Sequence, residues 1–211
     1  MSYHLDLEHL GLTYLKKRLF EEDLIPSYLI LREELDERIA SLQKEGITTL
    51  SQLKERLSKE RTRKELSKIS GISDAYLTVL KRALGGYTAK VVKLKEYPQT
   101  NLATIDALEQ HQIKDNIALW TRSQNKEARS SLATECAVEP LELDELVCLT
   151  DLSRIQWVSP LFAKLLYNAG YKTVFLVSQG RCEEMAQRVK EETKNQSIFK
   201  GTVGERDFSR L

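Results

Sequence analysis

Residues 66–84 read LSKISGISDAYLTVLKRAL, and residues 152–170 read LSRIQWVSPLFAKLLYNAG. Laid over each other at an offset of 86, they share six of 19 residues, with Lys68/Arg154, Ile72/Val158 and Tyr76/Phe162 as close exchanges. Each stretch has apolar residues at helical spacing, a short break, a serine and a second helical run. Ser73 and Ser159 stand where an N-cap is needed, so their hydroxyls are expected to satisfy the first amides of the second helix. The unit is a helix, a turn and a helix.

Working outward, residues 39–84 fall on residues 105–150 without a gap at an offset of 66. Nine of the 46 pairs are identical, among them Ile39/Ile105, Leu53/Leu119, Arg63/Arg129 and Leu77/Leu143, and seven of the nine are apolar. Two segments that bury the same face of one supersecondary unit predict such a pattern. A further echo links Gly46-Ile-Thr-Thr-Leu with Gly170-Tyr-Lys-Thr-Val, a glycine ending one helix and a threonine capping the next.

The rest of the chain reads as helix as well. Leu7, Leu10, Tyr14 and Leu15 begin a first amphipathic helix, and Pro26 opens a second that runs to Gly46. Thr49, Thr62 and Ser73 cap three more, and Gly85-Gly86 ends the last of them. The stretch YTAKVVKLKEYPQTN (87–101) loses the helical period and contains Pro98, so it reads as an extended basic linker. The expected organisation is therefore all-α: an N-terminal helix pair and first hairpin over 1–86, the linker 87–101, a second helical domain over 102–195, and a polar tail, 196–211, free unless docked.

The pattern L-x-x-I-x-[G/W]-[I/V]-S-x-x-[Y/F]-x-x-x-L resembles the helix-hairpin-helix superfamily. LTDLSRI (149–155), Val158, Pro160, Ala163, Leu165, Leu166 and AGYKTV (169–174) are similar to an uncharacterised bacterial family of that superfamily, a domain of unknown function. DLIPS (23–27), GITTL (46–50) and GISDAYLTVLKR (71–82) look like the segment that accompanies it in some relatives. The resemblance implies tandem helix-hairpin-helix-like repeats. In DNA-binding members a Gly-apolar-Gly turn lets backbone amides meet a phosphate. Here the first copy keeps one glycine (Gly71-Ile72-Ser73), the middle copy reads Ala137-Val138-Glu139, and the third reads Trp157-Val158-Ser159. Only the first remains a phosphate-site candidate.

Charge points to the same place. The net charge is +1, yet residues 54–95 hold 12 Lys/Arg against 4 Asp/Glu. Candidate nucleic-acid-binding residues are Lys54, Lys59, Arg61, Arg63, Lys64, Lys68, Gly71, Ser73, Lys81 and Arg82. The alternative is an ordinary solvated helix face, balanced by Glu55, Glu60 and Glu65. Trp157, in place of a turn glycine, either covers a hairpin corner or serves as an anchor for a protein partner.

Other chemistry finds little support. Cys136, Cys148 and Cys182 are widely spaced, odd in number and without a CxxC pair, which argues against disulfides or zinc and for a reducing cytoplasm. His4, His9 and His111 are scattered. No cofactor, catalytic residue, metal site or small-molecule substrate is expected, and no membrane span. MSYHLDLEHL lacks the basic and apolar regions of a secretory signal, so export is not expected. The expectation is a non-catalytic adaptor with weak, sequence-independent nucleic-acid binding, or alternatively a protein-interaction scaffold with no nucleic-acid role.

Overall fold

The computed structural model describes residues 3–196, 201 and 203–209. Its helices divide into two compact units, Ser2–Thr88 and Ala89–Leu211. The first holds α1 (Leu12–Glu21), α2 (Leu35–Lys44), α3 (Leu50–Ser58), α4 (Glu60–Ser70) and α5 (Asp74–Gly85). The second holds α6 (Leu102–Gln110), α7 (Asn116–Arg122), α8 (Lys126–Glu135), α9 (Pro140–Leu152), α10 (Pro160–Asn168), α11 (Val174–Ser178), α12 (Cys182–Gln196) and α13 (Glu205–Phe208). The chain is all-α: among the described residues the only β pairings are the isolated bridges Gly11–Thr49 and Lys93–Asp115.

In the first unit the apolar stripes predicted by spacing meet in one core, with Leu15, Leu31, Leu50, Leu53, Leu57, Leu66, Leu77 and Leu84 all fully buried. Burying one such side chain is worth about 1.5–3 kcal/mol, so this layer outweighs any surface ion pair. Thr49 accepts from the Gln52 amide while Gln52 caps Thr49 in return, a closed capping box. Three sequence expectations shift. Leu7 and Leu10 precede α1, and their carbonyls accept from Ser51 and Leu50 at the start of α3. The single helix expected over 26–45 is a 3-10 turn (Pro26–Arg32) followed by α2, with Glu34 left-handed at φ 46° between them. The Leu31 carbonyl that a continuous helix would offer to the Leu35 amide accepts instead from the Tyr76 hydroxyl at 3.0 Å. Arg32 meanwhile ties off the carbonyls of Leu19, Phe20 and Glu22. Helix α4 also begins at Glu60, before Thr62, whose hydroxyl donates back to the Lys59 carbonyl.

The second unit corrects the linker. Val92, Leu94 and Tyr97 are buried in its core, and residues Leu94–Glu96 form a 3-10 turn. The cause is Asn116, fully buried at the first position of α7. Its Oδ1 accepts from the Val92 amide at 3.0 Å, its Nδ2 donates to the Lys90 carbonyl at 2.8 Å, and its own amide donates to the Val92 carbonyl. One side chain thus supplies the strand-like partners that an extended segment needs. Tyr97 completes the anchoring by donating its hydroxyl to Ser153 Oγ at 2.8 Å. The tail expected over 196–211 lies partly outside the described residues; within them, Phe208 of α13 is buried against Phe162 of α10.

Shifted by 66, the starts of α3, α4 and α5 coincide with those of α7, α8 and α9, and the end of α2 with that of α6. The helix ends match as well. Gly46 and Gln112 follow α2 and α6 at φ 76° and 63°, and in each case the next amide reaches back five residues, Ile47 to Leu42 and Ile113 to Leu108. At the hairpin turns Gly71, Ala137 and Trp157 have φ of 73°, 52° and 70°. Glycine, alanine and tryptophan hold the same left-handed conformation at these three positions.

Candidate nucleic-acid interface

The α4–α5 hairpin is short because Gly71 reverses α4 without a Cβ penalty, its amide donating to the Ser67 carbonyl at 3.1 Å. Nothing lies within 4 Å of where a Cβ would stand on Gly71, so the turn backbone is open. Ser73 then caps α5 by accepting from the Tyr76 amide at 3.3 Å. Ser159 does the same for α10, accepting from Phe162 at 3.2 Å. These caps occupy an amide that an anion would otherwise use.

The basic candidates separate into two groups. Arg63 is committed: its guanidinium binds both oxygens of Asp74, at 2.8 and 3.3 Å, clamping α4 to α5. That contact holds the Asp74 carboxyl below its ordinary range. It also places a neutralised carboxylate, rather than a bare one, at the first position of α5. Lys64 pairs with Glu60 at 2.5 Å, Lys54 donates to Thr88 Oγ1 at 3.0 Å, and Lys81 donates to the Ser58 carbonyl at the end of α3. The last contact brings α5 to the α3–α4 corner, beside Lys59. Lys59, Arg61, Lys68 and Arg82 form the other group. They are exposed and make no side-chain hydrogen bond or ion pair among the described residues. Arg61, Lys64 and Lys68 share one stripe of α4. Lys90, Lys93 and Lys95 belong to the second unit.

Arg129, the counterpart of Arg63, is held differently: its Nε donates to the Ser123 carbonyl at 3.1 Å and Nη1 lies 3.7 Å from Asp144. It borders an open cleft of about 460 Å3 between α8 and α9, lined also by Lys126, Ser130, Pro140 and Leu143. Trp157 is 57% exposed. Cys136 is buried, Cys148 and Cys182 partly so, and all three are free thiols. Burial pushes the thiols of Cys136 and Cys148 up. Among the described residues no group of His, Cys, Asp and Glu is arranged to hold a metal ion, and no helix is long and apolar enough to cross a membrane.

Sequence reasoning missed three polar elements. The buried Lys164 forms an ion pair with Glu145 across α9 and α10. Glu145 lies in an acidic stretch that reads as a solvated face, which hides the pairing with a lysine nineteen residues away. The Tyr76 hydroxyl is buried and donates to the Leu31 carbonyl. Asn116 could have been found, since an asparagine one residue past the N-cap Asp115, at a buried register position, needs polar partners.

Comparison with the curated proteins gives no match, nor does comparison with the solved structures. A family model described as "Domain of unknown function (DUF4332)" matches residues 98–203, from just after Tyr97 to the segment before α13. That is half of the chain, and the chain belongs to this family.

Proposed function

We propose that this chain is a non-catalytic macromolecular binding module of the cytoplasm, whose first unit holds the nucleic-acid backbone weakly and without regard to sequence. The carrying observation is the set Lys59, Arg61, Lys68 and Arg82, exposed and unpaired along α4 and α5, the hairpin whose turn holds a glycine. The helix-hairpin-helix reading of α4–α5, and of a unit copied along the chain, belongs to the same proposal. The matching helix bounds at an offset of 66 support it.

Four phosphate contacts predict that binding weakens with salt at a log–log slope of about −3 to −4 on duplex DNA. A gel-shift or fluorescence-anisotropy titration at low salt measures it. Replacing Lys59, Arg61, Lys68 and Arg82 by Glu removes the binding; binding that survives the replacement refutes the assignment. Arg63 is left intact in this test because its loss would unclamp the hairpin.

The second reading, a protein-interaction scaffold without a nucleic-acid role, draws on Trp157, an exposed indole on a left-handed backbone. It predicts a stoichiometric protein partner that survives nuclease treatment and is lost with Trp157→Ala.

A further inference from the structure

The helices of the α4–α5 and α8–α9 hairpins begin at corresponding positions, yet the hairpins carry opposite charge. Residues 60–85 hold six Lys/Arg against three Asp/Glu, while the corresponding residues 126–151 hold two against seven. The inversion includes unpaired surface positions: Arg61 corresponds to Glu127, and both are exposed without a side-chain partner among the described residues. Glu139, where the first hairpin has Ser73, is exposed as well and makes no capping bond. Each hairpin also presents one large apolar side chain to solvent, Ile69 on α4 at 48% exposure and Leu141 on α9 at 76%. An apolar point within a charged rim is the usual make-up of a modest protein interface.

We propose that the basic α4–α5 hairpin of one copy docks on the acidic α8–α9 hairpin of a second copy. The occupant is a second copy because the chain itself supplies both halves of the match, a net +3 on one hairpin against −5 on the other. Two different surfaces are used, so the contact is heterologous and the pair keeps one free face of each sign. Association is therefore open-ended, concentration-dependent and driven by charges that salt screens, the Debye length falling from about 10 Å at 0.1 M to about 3 Å at 1 M. This inference goes beyond the nucleic-acid reading and does not rest on it.

Sedimentation velocity on nuclease-treated protein tests it with no nucleic acid present. At low salt the weight-average mass rises above the 24.2 kDa of one chain as concentration increases, and it returns to that value in high salt. Arg61→Glu/Lys68→Glu and Glu127→Lys/Glu139→Lys are each monomeric, and mixing the two restores association. A control on α12, Lys190→Glu/Lys194→Glu, makes the same change in net charge and still associates. Far-UV circular dichroism checks that every variant is folded. A mass that stays at one chain throughout, or association undiminished in both charge-reversed variants, overturns the proposal. A mixture that stays monomeric, or loss of association in the control, overturns it too. Loss of DNA binding in a separate titration would bear on the nucleic-acid reading alone.

Discussion

Ala137 offers a clean measurement of what a left-handed turn costs a residue other than glycine. It follows α8 at φ 52°, with its own amide bonded to the Thr134 carbonyl and the Val138 amide to that of Ala133. A left-handed non-glycine residue costs roughly 1–2 kcal/mol. Glycine at this position releases that strain but adds about 0.4–1 kcal/mol of unfolded-state entropy to be lost on folding. The Ala137 methyl is exposed, so no packing is forfeited. Ala137→Gly should therefore stabilise the second unit by about 0.5–1 kcal/mol. The assay is urea unfolding followed by tryptophan fluorescence, because both tryptophans, Trp120 and Trp157, belong to the second unit. With a slope of roughly 1–3 kcal/mol per molar urea, the midpoint rises by about 0.2–1 M. The mirror experiment is Gly46→Ala, at φ 76° with open space around the added Cβ, which should destabilise the first unit by a similar amount in circular dichroism. An unchanged or lower midpoint for Ala137→Gly would show that flanking contacts, and not backbone strain, set the energy of this turn.

Three further outcomes follow from buried polar groups. Asn116→Ala leaves the Val92 amide and the Lys90 carbonyl without partners, so it should cost on the order of 2–4 kcal/mol and raise amide exchange across residues 90–94. Glu145→Gln strands the buried Lys164 ammonium and should cost about 3–5 kcal/mol, whereas Glu145→Leu with Lys164→Met recovers most of it, both read by urea unfolding. The Tyr97 hydroxyl is pushed up to about 12 by burial, from 10.0, so the folded state keeps a proton that the unfolded state loses. Its stabilising contribution is whole below pH 10 and is lost as pH rises toward 12, at about 1.4 kcal/mol per unit or about 3 kcal/mol in all. Tyr97→Phe should flatten that part of the alkaline slope, while Tyr87, raised by burial in the other unit, leaves the first unit's slope intact.

Apolar spacing located the helices because each of them buries a stripe, and Leu53, Leu66, Leu119 and Leu132 all lie at the core where the period puts them. It failed where a polar side chain outbid helical geometry. Tyr76 takes the Leu31 carbonyl and so breaks a helix that periodicity runs straight through, and Asn116 docks a segment whose composition reads as linker. The candidate interface was legible as a charge excess but not as a pairing scheme. Nothing in the spacing of Arg63 and Asp74, eleven residues apart across a turn, distinguishes a clamp from a free cation. Lys59, Arg61, Lys68 and Arg82 emerged by subtraction, once the structure had accounted for their neighbours.

The three hairpin turns carry a methylene, a methyl-bearing carbon and an indole-bearing carbon on the same left-handed dihedral. A search that spells this corner as Gly-apolar-Gly reads letters, whereas the chain preserves an angle. Corners that differ in residue but share this bend escape such a pattern, and comparing torsions at the positions that follow each helix gathers them.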